Sequence, residues 1–394
     1  MKEKVEVTYT AEDFLYCLRN VVGKKTIGLH EPIFNGNEIK YLTDAIESTY
    51  VSSTGPYIEK FEEKLKEYTG SKFVISVNSG TSGLHISLLL SGILAGDEVI
   101  VPALTFAATA NAVMYCGAVP NFVDCETESF GIDPEKLREY LTEIVKFETG
   151  RPINKFTNRK IGAIIVMHTF GHPSKIEEII EVAKQFNMVV IEDAAESVGS
   201  FYDKKHTGTF GSIGVLSFNG NKTITTGGGG AILTDQANLA HRARHLSTTA
   251  KLPSKWEFIH DTVGFNYRMP NLNAALGLAQ LEQLESKIEK KRKLLRRYQL
   301  EFAKFPELHM LEEPKLARSN YWLQTIILPA SLLNLRNEIL DLSNDSGVMT
   351  RPIWEPLSNL KHLSKFPKMD LSRVDEFKNR LINLPSNPQN EKNF

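Results

Sequence analysis

Between residues 72 and 234, short apolar runs alternate with stretches of helical spacing, and this alternation constrains the fold more than any other feature of the chain. Residues 73–77, 98–101, 119–123, 161–167, 188–191, 215–218 and 231–234 read as buried strands. Helices are predicted at about 84–90, at 107–115 and between the fourth and fifth strands, with Gly92 ending the first of them. Strands joined through helices require crossover connections. The pattern therefore predicts an α/β fold whose mostly parallel central sheet is covered on both faces.

Ahead of this region, Phe14, Leu15, Leu18 and Val21 recur at helical spacing, so residues 1–26 read as an N-terminal extension carrying a short surface helix. Near Pro270 the rhythm changes. Residues 271–302 look like one long, increasingly charged helix, for which Pro270 is a suitable start. Strands follow at 321–328 and 348–352, separated by a helix at 332–342. The expected division is a large domain over 27–250, then a bridging segment and a smaller C-terminal α+β domain over 251–394.

The 46 Lys+Arg and 47 Asp+Glu leave a formal charge of -1, without the basic excess of a nucleic-acid-binding surface. Cys17, Cys116 and Cys125 are odd in number and lack C-x-x-C spacing, so neither a disulfide framework nor a structural zinc site is expected. The start, MKEKVEVTYTAEDF, has no apolar signal-peptide core, and no apolar run approaches the roughly 20 residues that cross a bilayer. The expectation is a soluble cytoplasmic protein with neither membrane nor nucleic acid as partner.

Ligands of an open parallel sheet gather at the carboxyl ends of its strands, and four features fall there. Ser79-Gly80-Thr81-Ser82-Gly83 joins the first strand to its helix; small residues and free helix-start N–H groups suit a phosphate, although an ordinary capped turn would read the same way. Neither a Walker A loop nor G-x-G-x-x-G is present there. Glu192-Asp193-Ala194-Ala195-Glu196 ends an apolar strand in carboxylates able to hold a protonated ring nitrogen, a metal or a ribose hydroxyl, or simply to be solvated. No metal is expected, because Gly171 and Pro173 oppose the helix that would align His168 with His172. Ser217 to Lys222, followed by Gly227 to Gly230, places a single lysine among small and apolar neighbours, as amine chemistry requires; a flexible glycine hairpin is the alternative. Phe265 to Pro270 leads into the long helix. With an aromatic candidate at Phe106, the set matches what pyridoxal 5'-phosphate requires: a phosphate cradle, an acid for the pyridine nitrogen and a lysine for the aldehyde.

The chain resembles the DegT/StrS-type sugar aminotransferases, members of the fold-type I pyridoxal phosphate enzymes, from about Ile27 to Pro388. The resemblance is carried by SSTGPYIEKFE (52–62), NSGTSGLH (78–85), DEVIVPALTFAATANA (97–112), EDAAES (192–197), HTGTFG (206–211), SFNGNK (217–222) and NYRMPNLNAALG (266–277). MHTFGHP (167–173), SFNGNKTITTGGGGAILT (217–234) and TRPIWEP (350–356) are most similar to the branch making precursors of legionaminic-acid-type nonulosonates, which aminates a nucleotide-linked 4-keto-6-deoxy-N-acetylhexosamine.

The resemblance implies a large domain with a smaller C-terminal one, pyridoxal 5'-phosphate as cofactor, and L-glutamate and a nucleotide-linked keto sugar as substrates. It implies Lys222 as the residue that bonds the cofactor and moves protons, Asp193 on the pyridine nitrogen, Phe106 stacked on the ring, and Ser217, Gly80 and Thr81 on the phosphate. Glu196 stands beside the cofactor where many relatives have Gln or His, and Phe106 stands where others have Tyr or Trp. Asn266 would reach the phosphate from a second subunit, making a homodimer with shared active sites. His172, Tyr321, Arg351 and Trp354 are the candidates for shaping the sugar pocket, with core or interface packing as the alternative. Within the family, perosamine-type enzymes acting on GDP-4-keto-6-deoxymannose and 3-keto sugar aminotransferases are alternatives. A related dehydratase carries His where this chain has Lys222, a nicotinamide oxidoreductase would need the missing dinucleotide fingerprint, and a cofactor-binding regulator would normally bring a DNA-binding module.

Overall fold

A computed structural model describes residues 9–305 and 307–388. Residues 1–8 of the expected N-terminal extension and 389–394 of the expected C-terminal domain lie outside the described residues.

Seven strands build the central sheet: β1 (Phe73–Val77), β2 (Glu98–Pro102), β3 (Val119–Val123), β4 (Ile161–Met167), β5 (Val189–Asp193), β6 (Ile213–Ser217) and β7 (Gly230–Thr234). Their spatial order is β1-β7-β6-β5-β4-β2-β3. Of the seven, β7 alone runs against its neighbours, pairing antiparallel with β1 and β6; the other pairs are parallel. Strand residues alternate between two apolar clusters. Val99, Val101, Ala163 and Ile165 enter one, while Ile100, Ile164 and Val166 enter the other. Both faces are thus covered, which is why these strands read as continuous apolar runs.

The helices that cover the sheet carry matching stripes. On one face lie α4 (Gly80–Leu90) and α5 (Ala107–Tyr115), which bury Leu84, Leu88, Ala110 and Val113. On the other lie α6 (Pro134–Ile144) and α7 (Ile176–Gln185), with Leu137, Leu141, Ile176 and Ile179. Around them run α1 (Ala11–Val22), α2 (Glu38–Glu47), α3 (Pro56–Thr69), α8 (Ala237–Ser247), α9 (Asn271–Leu281), α10 (Leu284–Phe302), α11 (Arg336–Asp345) and α12 (Ser372–Phe377). A second, antiparallel sheet has the order β8-β9-β11-β10, from β8 (His309–Met310), β9 (Gln324–Ile327), β10 (Arg351–Pro352) and β11 (Leu381–Leu384). No described helix is long and apolar enough to cross a membrane.

The structure departs from expectation at identifiable points. Helix α1, capped reciprocally by Thr10 and Asp13, is no appendage: Phe14, Leu18 and Val21 share a cluster with Leu294, Tyr298 and Phe302 of α10 and with Ile382 and Leu384 of β11. The single helix expected over 271–302 breaks at Glu282–Gln283, so α9 buries Ala274 and Ala275 in one cluster while α10 buries Tyr298 and Phe302 in another. Glu282 is held there by Asn37 (2.8 Å) and Tyr41 (2.7 Å), and no glycine or proline marks the break. The strand expected from 321 starts at Gln324, because Tyr321 adopts a positive φ of 49° and the Trp322 N–H donates to the Asn320 side chain instead of a neighbouring strand. The helix expected over 332–342 is a 3-10 turn, Ala330–Leu335, followed by α11, and of 348–352 only Arg351 and Pro352 pair as a strand. Helices α2, α3, α6, α8 and α12 and strands β8 and β11 were not anticipated.

Candidate active site

The register of the sheet gathers the strand-end residues. Met167 and Val215 lie opposite Asp193, while Ser217 and Val77 lie opposite Gly230. A cavity of about 350 Å³ opens over this edge. Gly80, Thr81, Phe106, Asp193, Glu196, Ser217, Lys222 and Trp354 all line it, so the structure brings together eight of the expected residues.

The cradle begins at Ser79. Its Oγ accepts the Ser82 N–H at 3.0 Å, and this cap starts α4 at Gly80 instead of the expected residue 84. The SGTSG turn is therefore the first helical turn, and the Gly80 and Thr81 N–H groups have no intrahelical acceptor. Two glycines permit the close approach: a Cβ on Gly80 would lie 3.0 Å from Ser217 Cβ, and one on Gly230 would lie 2.7 Å from the Gly80 nitrogen. The helix start and the Ser217 hydroxyl together form a site for a phosphate.

Asp193 ends β5 fully inside the protein. Its Oδ2 accepts the Thr109 hydroxyl at 2.8 Å and its Oδ1 the Ala195 N–H at 3.3 Å. Burial raises its pKa, against which Thr109 and the Lys222 charge work. A cationic ring nitrogen set against this carboxylate would oppose the burial effect further. Glu196, also buried, places Oε1 3.2 Å from Lys222 Nζ while Oε2 accepts the Phe170 N–H at 3.0 Å. Burial pushes its carboxyl up to about 7, although Lys222 and the Phe170 N–H pull the other way. Lys222 follows β6 on a turn closed by its own N–H to the Asn219 carbonyl at 3.0 Å.

Aromatic rings wall the cavity. Phe106, the N-cap residue of α5, leaves 55% of its surface exposed, and its ring lies 6.3 Å from that of Trp354. Trp354 in turn lies 5.0 Å from Phe170. A free ring face, an acid for a pyridine nitrogen, a phosphate cradle and an amine converge on one cavity. The residues present fit pyridoxal phosphate.

Four expected residues lie elsewhere. His172 is buried against Tyr321, with ring centroids 5.1 Å apart, and its Nδ1 meets Ser319 Oγ at 3.0 Å. The Tyr321 hydroxyl accepts the Glu313 N–H at 3.0 Å, so both rings pack the interior and do not shape the cavity. Arg351 is exposed and donates to Asn344 Oδ1 at 2.8 Å. Asn266 is exposed and does not line the cavity of its own chain. His168 and His172 also diverge: the Ser174 N–H donates to His168 Nδ1, leaving Nε2–H to donate to Glu192 at 3.0 Å. Burial acts to raise Glu192, but His168 and the N–H groups of Gly211 and Gly208 outweigh it and hold the carboxyl below its ordinary range.

Sequence reasoning missed Thr109, Met167 and Trp322. The Trp322 ring centroid lies 4.0 Å from Lys222 Nζ, and its indole N–H donates to the Asn221 carbonyl at 2.7 Å. Its neighbour Tyr321 attracted attention instead; a strand over 321–328 would put the two on opposite faces, and nothing in the sequence says which one meets the site. Thr109 is one of many helical threonines until β5 is placed beside it.

Comparison with known proteins agrees with this geometry. Residues 32–393 match the profile of the DegT/DnrJ/EryC1/StrS aminotransferase family. The GDP-perosamine synthase of Escherichia coli O157:H7 is 38% identical over 365 residues, 92% of this chain and 94% of that protein. EpsN of Bacillus subtilis (strain 168), a candidate pyridoxal phosphate-dependent aminotransferase, is 35% identical over 333 residues, 84% of this chain and 82% of that protein. The crystal structure of a DegT DnrJ EryC1 StrS aminotransferase from Brucella abortus superposes with a TM-score of 0.81 at 27% identity, covering 90% of this chain and 92% of that one. The chain belongs to the DegT/DnrJ/EryC1/StrS aminotransferase family and is a pyridoxal phosphate-dependent sugar aminotransferase.

Proposed function

We propose that the chain transfers an amino group from L-glutamate to C4 of a nucleotide-linked 4-keto-6-deoxy-N-acetylhexosamine, in cytoplasmic synthesis of legionaminic-acid-type nonulosonates or surface polysaccharide. The observation that carries the reaction is the Lys222 amine, 3.2 Å from Glu196, in the cavity that Asp193 and the Gly80–Thr81 cradle also line. The sugar assignment is supported by position. Of the segments whose sequences resemble that branch, 167–173 and 350–356 send Met167 and Trp354 into the cavity.

Pyridoxal phosphate, when bound, supplies an electron sink for negative charge at the carbon that carries the amino group. The protein's part is to bind, orient and move protons. The Gly80 and Thr81 N–H groups and Ser217 would hold the phosphate, and Phe106 would offer its exposed face to the ring. Asp193, fixed by Thr109, keeps the proton on the pyridine nitrogen. Lys222 Nζ takes the proton from the donor's α-carbon and later delivers one to C4 of the sugar. Asn266 completes the phosphate site from a second subunit in a homodimer; its own exposure, and that of Trp256, Phe258 and Val263 in the same segment, supports a surface covered by another chain.

A second reading follows from the 38% identity to a GDP-perosamine synthase: the acceptor would be GDP-4-keto-6-deoxymannose. The two are separated by supplying purified enzyme with pyridoxal phosphate, L-glutamate and each keto sugar in turn, scoring 2-oxoglutarate and the mass of the product. A kcat/KM at least roughly tenfold higher for the N-acetyl sugar is expected. The opposite order replaces the first reading with the second, and no 2-oxoglutarate with either rejects both.

A further inference from the structure

Trp322 is held behind Lys222 by an unusual amount of structure. The residue before it, Tyr321, has a φ of 49°, a conformation disfavoured for any residue with a Cβ. Asn320 stabilises it from one side: its side-chain oxygen accepts the Trp322 N–H at 2.8 Å, and its amide donates to the Glu196 and Val198 carbonyls at 2.9 and 2.8 Å. Gly171 makes room for that amide, since a Cβ there would lie 1.9 Å from Asn320 Oδ1. From the other side comes Lys291 of α10, fully buried. Its Nζ donates to the carbonyls of Tyr321 (3.3 Å), Trp322 (2.9 Å) and Ser386 (2.6 Å). Burial, and then the nearby Lys287, hold the Lys291 amine well below its ordinary pKa. Because all three acceptors are backbone carbonyls, the tether is made of hydrogen bonds and not of an ion pair.

From this anchored backbone the indole acts on Lys222 twice. Its N–H fixes the carbonyl of Asn221, the residue just before the lysine, at 2.7 Å. Its face lies 4.0 Å from Nζ, within reach of a cation–π contact, while Glu196 meets the same nitrogen at 3.2 Å. The amine is thus gripped between a ring and a carboxylate, with its stem set by the fixed peptide.

We propose that Trp322 is a positioning residue for Lys222, and that Lys291 is the buried tether which holds Trp322 in place. This rests on the reading of Lys222 as the residue that bonds the cofactor.

The test separates covalent capture from simple binding. In capture, Lys222 Nζ forms a C=N bond to the aldehyde carbon of pyridoxal phosphate and the aldehyde oxygen leaves as water; absorbance follows the rate in the cofactor-free protein. Pyridoxamine phosphate has no aldehyde, so its affinity reports the cavity alone. Melting curves first establish that each variant is folded. Trp322→Leu is expected to slow capture about tenfold, equivalent to ~1.4 kcal/mol, and, because Trp322 also borders the cavity, to lower pyridoxamine phosphate affinity by a smaller factor of at most about threefold. Trp322→Phe, which keeps a ring face, is expected to recover most of the rate. Lys291→Met is expected to slow capture as Trp322→Leu does; if that variant does not fold, the Trp322 pair decides. Capture and affinity falling by the same factor, or neither changing, overturns the proposal. Wild-type protein that never captures the aldehyde, or a Lys222→Ala protein that captures it equally fast, rejects the reading of Lys222 instead.

Discussion

Glu196 makes the stability of the cofactor-free protein depend on pH in a direction that can be worked out. Burial lifts its carboxyl from an ordinary 4.5 to about 7, with Asp193 adding to the rise and Lys222 and the Phe170 N–H opposing it. Between those two values the folded chain keeps a proton that the unfolded chain has released. Stability is therefore greatest below the lower value and falls as pH rises through the upper one. At about 1.36 kcal/mol per pH unit, the full span corresponds to about 3 kcal/mol. A melting entropy of roughly 2.1 cal/mol/K per residue, taken over 394 residues, turns this into a Tm difference of about 4 °C. Glu196→Gln removes the titrating group but keeps the shape. The expected result is that wild-type Tm minus variant Tm, measured by scanning fluorimetry at fixed ionic strength, declines by about 4 °C between pH 4.5 and about 7.5. A difference that stays flat or rises over that range refutes the argument.

Other outcomes follow from the same geometry. Lys222→Ala leaves the phosphate cradle intact, so it should bind pyridoxal phosphate without a covalent link and lose turnover by about a thousandfold or more, scored as 2-oxoglutarate release. Gly230→Ala drives a Cβ to 2.7 Å from the Gly80 nitrogen and 2.8 Å from the Leu216 carbonyl. It should cost about 1–3 kcal/mol by overpacking and weaken cofactor binding in a fluorescence titration, because the start of α4 must shift. Phe14→Ala empties a fully buried site against α10 and should cost about 3–5 kcal/mol, lowering Tm by about 4–6 °C. Its cofactor affinity should be unchanged, since α1 lies outside the cluster that supports the cavity.

The central sheet was legible because its strands are buried on both faces and separated by helices, a pattern that periodicity alone detects. Asp193, Ser217 and Lys222 could be singled out for a related reason: each sits at or just beyond the end of an apolar run, where the side chain has to leave the core. What escaped depends on contacts between distant segments. The break at Glu282–Gln283 is set by Asn37 and Tyr41, far away in sequence. Tyr321 and His172 suit a pocket or a packed core equally as ring types, and only the chain's path decides between the two. The left-handed turn at Tyr321 sends that ring inward and leaves Trp322 at the cavity. Arg351 lies in the TRPIWEP segment with Trp354, but its strand places it at the surface beside Asn344.

Helix α1 closes a loop through most of the chain: Cys17 touches the Glu301 carbonyl across 284 residues of sequence. A ribosome adding about 5–20 residues per second leaves the apolar face of that helix without its partners for roughly 15–60 s. Through that interval α1 is a sticky amphipathic segment, and the large sheet must assemble beside it without engaging it. Temperature, codon usage and chaperone supply then act on yield through a helix that touches no substrate. Variants of Phe14 or Leu18 are a route to separating the protein's assembly from its chemistry.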